Sequence, residues 1–385
     1  MTGFVFRNAR LASDGQTAEG DLLVMGERIV GTGRVSALPG LKERDLQGAL
    51  VLPGLVDLQV NGLGGAEVHT ADAAGLVTIT RTAPRLGCTA LLLTQISPGP
   101  AGLSALAAEL KVLPAAGARV LGVHLEGPFL DPAHRGAHSV EALRLPSRDE
   151  AAEALAHFQG RVRLWTLAPE LPGASAVVDL LCEAGVVVAA GHSGLSHEEA
   201  RSWFGRGISM VTHLFNAMTG LQHRSQGLAA AALLDDRVRF SIIADGHHAH
   251  PAMLELANRL GGHRLILVTD AVAPAGAPAG AYTVAGQLVV AEKGVVRLTD
   301  GSLAGTTLGA LQAVRNYSAF TGVSVAEAAV AMTSRPADLL GERDLGRLGE
   351  GALADFLILD DQGVLLETWI RGKPEYVRRP GGPRT

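Results

Sequence analysis

Apolar residues fall along this chain in short blocks. Eight runs rich in Val, Ile and Leu lie at 50–61, 88–95, 120–126, 162–169, 186–193, 209–216, 240–245 and 265–270. Near-continuous apolar runs of this length predict strands buried on both faces, as in parallel sheets. Helix-like segments separate most of them, at 70–86, 101–113, 148–158, 174–184, 197–206 and 251–260. Strand alternating with helix is the βαβ repeat. Eight repeats predict an α/β fold, a closed (β/α)8 TIM barrel. A doubly wound open sheet is the alternative, disfavoured because no Gly-x-Gly-x-x-Gly follows the first strand.

The two ends read differently. Short strand-like pieces occur at 4–6, 21–25 and 28–31, and again at 355–359, 368–371 and 376–377. Neither set would be stable as a sheet alone. Together they predict a small β-sandwich domain, residues 1–49 with 350–385, through which the chain enters and leaves a barrel of residues 50–349. Residues 281–298 read as a β-hairpin inserted after the eighth strand. The preceding stretch APAGAPAG, 273–280, reads as a mobile loop near the mouth of the barrel.

Composition narrows the class. Apolar residues make up 47% and charged residues 18%, which favours a large packed core over disorder. The net charge of −5 and the lack of any Lys/Arg run argue against nucleic acid. No stretch reaches the apolar length needed to span a bilayer. The N-terminal segment carries charges throughout, so a signal peptide is not expected and a cytoplasmic location is. Cys88 and Cys182 stand far apart with no Cys-x-x-Cys pair, as two reduced thiols would.

Polar residues collect where the strands stop. These are Gln59 and Asn61, His124 and Glu126, His192, His213, Asp245 with His247 and His248, and Asp270. A single one could be a helix cap or a hydrogen-bonded core group. Several strands ending this way point to the C-terminal face of a barrel, where chemistry resides. Glu126, His192 and His213 supply one carboxylate and two imidazoles from three strands. That is the donor count of a catalytic metal site with room left for water. Asp270 ends a strongly apolar strand, where a carboxylate is costly without a partner. It reads as a general base toward metal-activated water, or as a cap of the following turn.

The motifs PGLVDLQVNG (53–62), HLEGPF (124–129), AGHS (190–193), THLFNAM (212–218), ADGHH (244–248) and VTDA (268–271) resemble those of the N-acetylglucosamine-6-phosphate deacetylases of the amidohydrolase superfamily. SLAGT (302–306) and the stretch 346–360 fit as well, so the resemblance runs over nearly the whole chain. It implies hydrolysis of the acetamide of N-acetylglucosamine 6-phosphate, in amino-sugar metabolism. It implies Glu126, His192 and His213 as metal ligands, Asp270 as base and acid, and His138 as polariser of the acetyl carbonyl. Ala137, Asn216 and Ala217 are similar to sugar-contacting positions, and Leu303, Ala304, Gly305 and Thr306 to a loop closing over the sugar. Arg224 and His248 match a phosphate-binding pair that reaches across from the neighbouring subunit, which implies a homodimer. A guanidinium fork suits a phosphate dianion; a solvated surface arginine is the other reading.

Two departures from many amidohydrolases bear on the metal. The first strand carries Gln59-x-Asn61 in place of His-x-His, and the fourth, VRLWTL, has no lysine. Amides are poor ligands for borderline cations, so one divalent ion per subunit is expected: zinc or iron, with manganese or cobalt as alternatives. Gln59 and Asn61 then orient water and ligands from behind. His124, on the same barrel face as Glu126, either supports the ligands or fills the core. N-acetylgalactosamine 6-phosphate, another amide, or a non-catalytic scaffold remain alternatives.

Overall fold

Eight parallel strands form one sheet in strict chain order. They are β1 (Leu55–Val60), β2 (Cys88–Ile96), β3 (Arg119–Glu126), β4 (Val162–Leu167), β5 (Val187–Ala190), β6 (Met210–Val211), β7 (Arg239–Ile243) and β8 (Leu265–Val268). A parallel bridge from Val60 to Ala271, just beyond β8, draws the last edge to the first. The result is the expected TIM barrel. The computed structural model describes residues 3–36 and 40–379; the outermost residues of the expected terminal domain, 1–2 and 380–385, lie outside the described residues.

Local chemistry explains the elements that match expectation. Helix Arg148–Phe158 starts where the Ser147 side chain accepts from the Glu150 N–H. Helix His197–Arg206 starts on a capping box between Ser196 and Glu199. Helix Leu228–Leu234, between β6 and β7, was not expected. Its sequence LAAAALL is apolar on every side and almost wholly buried, so it has no polar face to set a period. Three further helices, Ala310–Thr321, Val325–Val330 and Ser334–Leu339, follow the insertion after β8. Among the described residues no helix is long and apolar enough to cross a membrane.

Two expected strands are shorter than their apolar runs. β5 stops before His192 and β6 before His213, because both histidines take positive φ, 50° and 32°. The run 50–61 is two strands broken at Pro53–Gly54. Leu50–Pro53 leaves the barrel and pairs with Phe356–Leu359 and with Gly3–Ser13. Those three join Gln16–Met25, Arg28–Gly33, Lys42–Asp45, Leu365–Ile370 and Lys373–Val377 in an eight-stranded network. Its core holds Phe6, Ile29, Phe356 and Trp369, drawn from both chain ends.

The insertion after β8 is larger than a hairpin. Gly280–Val284, Gln287–Glu292, Val295–Leu298 and Leu303–Thr306 form a four-stranded antiparallel sheet. Val272, Val284, Val289, Val296 and Ala304 make its own small core. A bridge from Thr306 to Ala271 ties it to the barrel's closing seam.

Phe356 is fully buried, with ring centroids 5.4 Å from Phe6 and 5.6 Å from Trp369. Phe356→Ala is expected to cost about 3–5 kcal/mol of stability in urea unfolding. A loss below about 1 kcal/mol, the ordinary size for a point mutation, would mean the two chain ends do not share a cooperative core.

Candidate active site

The barrel mouth brings together the polar strand ends. Glu126 closes β3, and His192 and His213 lie just past β5 and β6; all three are at least 95% buried. His213 Nε2 lies 3.1 Å and His192 Nε2 3.3 Å from Glu126 Oε1, and the two Nε2 atoms are 3.0 Å apart. Two imidazole nitrogens and a carboxylate oxygen crowded this closely leave lone pairs facing one another. Burial works against the charged form of Glu126, but the imidazoles gathered around it, His192, His213 and His138, outweigh it and keep its pKa well below the usual carboxylate range. Among the described residues this is the one group of three or more His, Cys, Asp or Glu side chains placed to hold a metal ion. A triangle with edges of 3.0–3.3 Å suits nitrogen and oxygen donors that each sit about 2.0–2.2 Å from a common ion. The donors therefore fit a divalent cation.

The backbone at this face is unusual. His192, His213 and Asp270 all have left-handed φ, at 50°, 32° and 50°. Such conformations in non-glycine residues cost energy and persist where the surroundings enforce them. They end each strand abruptly and turn the side chain into the mouth. The His213 N–H donates to Ser241 Oγ at 2.8 Å, and the Asp270 carbonyl accepts from the Thr306 N–H at 2.9 Å.

Asp270 is tethered through one oxygen. Its Oδ1 accepts from Asn61 Nδ2 at 2.7 Å and from Gln59 Nε2 at 3.1 Å. Gln59 Nε2 also lies 2.9 Å from Glu126 Oε1, so one amide bridges two carboxylates. Burial, with the Glu126 charge, pushes the Asp270 pKa up to about 6. Its Oδ2 is left for chemistry. Gln59 sits behind the pocket wall, whereas Asn61 lines it. Neither amide bonds the imidazoles, so their role here is toward the carboxylates.

His138 faces the same space. Its Nε2 lies 3.9 Å from Glu126 Oε2, and its Nδ1 lies 2.7 Å from Ser97 Oγ. Burial and the neighbouring His192 push its pKa down to about 3, so the ring is neutral. With Nε2 toward a carboxylate, the proton belongs on Nε2 and the Ser97 hydroxyl donates to Nδ1. His124 lies beneath the site, fully buried, 2.8 Å from Thr166 Oγ1 and 3.4 Å from Thr94 Oγ1. Burial pushes its pKa down to about 4. It belongs to a polar layer of the barrel core and does not line the pocket.

The pocket wall contains Ala137, Asn216, Ala217, His248, Leu303, Ala304 and Gly305, all expected from sequence. It also contains Ile96, Gly136, Ile243, Val272, Val284 and Ala285. These carry no polar chemistry, and only tertiary packing reveals them. Leu303–Thr306 is a strand, not a loop. Thr306 does not line the pocket; it binds the backbone of Thr269 and Asp270. Gly305 has φ +68°, and a Cβ there would meet Val272 Cγ1 at 2.5 Å and the Asp270 carbonyl at 2.9 Å. Only glycine lets this strand approach Asp270 so closely.

The expected phosphate pair separates. His248 lines the pocket of its own chain, where Asp245 Oδ2 holds its Nδ1 at 2.7 Å. It stands three residues past Asp245, which follows the end of β7, and is held there. Arg224 lies in the exposed stretch 221–226, outside this pocket, and makes no hydrogen bond or ion pair among the described residues.

A parallel barrel with a carboxylate–imidazole cluster at its C-terminal mouth defines a metal-dependent hydrolase scaffold, and the sequence matches the amidohydrolase family over residues 50–375. The chain is 37% identical to the N-acetylgalactosamine-6-phosphate deacetylase of Escherichia coli O157:H7, over 86% of this chain and 88% of that protein. It is 33% identical to the N-acetylglucosamine-6-phosphate deacetylase of Vibrio furnissii, over 84% of this chain and 82% of that protein. The crystal structure of N-acetylglucosamine-6-phosphate deacetylase from Pasteurella multocida matches with a TM-score of 0.92 at 27% identity, covering 98% of this chain and 100% of that one. An aspartate-to-alanine mutant of the Mycobacterium smegmatis enzyme, in complex with N-acetyl-D-glucosamine-6-phosphate, matches with a TM-score of 0.89 at 31% identity, over 97% and 100%. The chain therefore belongs to the amidohydrolase family, among its N-acetylglucosamine-6-phosphate deacetylases.

With aspartate carboxyls isotopically labelled, Asp270 of the metal-free protein is expected to titrate near pH 6 by NMR. Asn61→Ala removes a hydrogen bond that favours the carboxylate, so the titration should move to higher pH. Movement to lower pH would contradict the tether.

Proposed function

We propose that the chain hydrolyses the acetamide of N-acetyl-D-glucosamine 6-phosphate to D-glucosamine 6-phosphate and acetate, with Asp270 as base and acid. One observation carries the assignment of roles: three converging donors share a pocket with a raised-pKa carboxylate that keeps one oxygen free. Glu126, His192 and His213 would hold one divalent ion, zinc or iron(II) by the donor set, with manganese and cobalt suited to the same ligands. When bound, it supplies Lewis acidity, activating water and polarising an amide carbonyl.

The chain's own groups do the rest. His138 Nε2–H donates to the acetyl oxygen as negative charge develops there. Asp270 Oδ2 takes a proton from the attacking water, then delivers it to the departing nitrogen. An amine leaves poorly unless protonated, so a carboxyl with a pKa near 6 suits both halves of the task. The carbonyl bonded by Thr306 and the amides of Gln59 and Asn61 keep Asp270 from swinging away. Asn216, Ala217 and the strand from Leu303 to Gly305 bound the sugar.

His248 gives its Nδ1–H to Asp245 and keeps Nε2 for the 6-phosphate. Arg224, with no hydrogen bond or ion pair among the described residues, completes the neighbouring subunit's phosphate site in a homodimer. A phosphate dianion does not cross a bilayer unaided, which suits a cytoplasmic enzyme. The 37% identity to an N-acetylgalactosamine-6-phosphate deacetylase favours one second reading, the galacto epimer of the same substrate.

Acetate release should be metal-dependent and require the 6-phosphate, and the faster of the two epimers identifies the substrate. Equal release from phosphorylated and free sugars would remove His248 and Arg224 from their roles. Asp270→Asn should keep its metal and lose about 10²–10⁴ in turnover; near-normal turnover would exclude it as the base. Mixing Asp270→Asn with Arg224→Ala and allowing subunits to exchange should restore full sites in about a quarter of positions, because a mixed C2 dimer holds one intact site. No recovery in a proven mixed dimer would place Arg224 outside the neighbouring site.

A further inference from the structure

Of the two imidazoles in the metal-holding group, only His192 has its other ring nitrogen engaged among the described residues. His213 Nδ1 is buried without a hydrogen-bond partner, whereas His192 Nδ1 lies 3.0 Å from the His134 carbonyl oxygen. A carbonyl only accepts, so the proton of His192 sits on Nδ1 and the lone pair on Nε2. That lone pair faces Glu126 Oε1 and His213 Nε2. The direction of one backbone carbonyl therefore sets the tautomer and the ring orientation of this ligand.

The carbonyl belongs to a short 3-10 turn, Pro132–His134, which precedes His138 in the loop after β3. Asp131 closes that turn. Its Oδ1 accepts from the Ala133 N–H at 3.0 Å, and its Oδ2 from His134 Nδ1 at 2.6 Å. Its own N–H donates to the His192 carbonyl at 3.0 Å. The turn thus grips His192 twice, at backbone and ring, and does so where φ is +50° and the residue needs holding. Gly194 completes the fit: a Cβ there would stand 3.0 Å from His134 Cε1 and 3.3 Å from Asp131 Oδ2. A methyl at position 194 would therefore press on the Asp131–His134 pair and make it give by a few tenths of an ångström.

We propose that Asp131 is a positioning residue for His192, acting through the His134 carbonyl, and that it tightens metal binding without touching metal or substrate. This rests on the reading that Glu126, His192 and His213 hold the ion. Partners behind a metal-bound histidine typically contribute a factor of about 10–100 to affinity.

The test uses Co²⁺ alone as probe, titrated into chelator-stripped full-length protein and followed by visible absorption and by competition with a chelator. Asp131→Ala is expected to bind Co²⁺ about 10–100-fold more weakly, with an altered absorption band. Asp131→Asn keeps the acceptor for the Ala133 N–H and should recover most of the affinity and the parent band. If Asp131→Ala does not fold, Gly194→Ala carries the test, since its methyl pushes the same turn and should weaken Co²⁺ in the same way. A folded Asp131→Ala, or Gly194→Ala in its place, with the parent's affinity and spectrum overturns the proposal while leaving the metal site intact. A parent protein that takes up no Co²⁺ overturns the metal reading itself, and this inference with it.

Discussion

A carboxylate taken fully out of water must be met by charge or by donors, and Glu126 sets that demand at the centre of this barrel. His192, His213 and Gln59 all converge on its Oε1. Gln59 comes from β1, Glu126 from β3 and Asp270 from beyond β8, so the contact exists only when the barrel closes. The bridge between Val60 and Ala271 is therefore part of the site as well as part of the fold. A second carboxylate in the same pocket could not stay ionised easily. The Gln59 amide lies between the two, and Asp270 responds with a pKa pushed up to about 6.

The strained strand ends follow from the same demand. An extended residue would place its side chain along the sheet's alternation and carry the chain onward out of the mouth. The left-handed turn at His192, His213 and Asp270 points the ring or carboxyl inward and sends the backbone off at once. Each is held by a different neighbour: the 131–134 turn for His192, Ser241 for His213, and Thr306 for Asp270. The four-stranded insertion contributes twice. Thr306 steadies Asp270, while Val284, Ala285 and Ala304 give the pocket an apolar wall.

The chain's sequence determined the fold class, the order of the strands, and which strand ends carry chemistry. Apolar runs long enough to be buried on both faces leave few architectures, and a polar residue ending such a run is costly enough to be informative. Pattern could not show that the run 50–61 divides between two sheets, because both halves are buried alike. It could not show the helix at Leu228–Leu234, which has no polar face, or the apolar wall, whose residues look like any core. It placed His248 with Arg224, where the structure keeps His248 in its own chain's pocket and leaves Arg224 exposed. Only tertiary structure decided which oxygen of Asp270 is tied, which nitrogen of His192 carries its proton, and that Gln59 serves two carboxylates. Those depend on distances of about 3 Å between residues more than fifty positions apart, and one-dimensional spacing does not encode them.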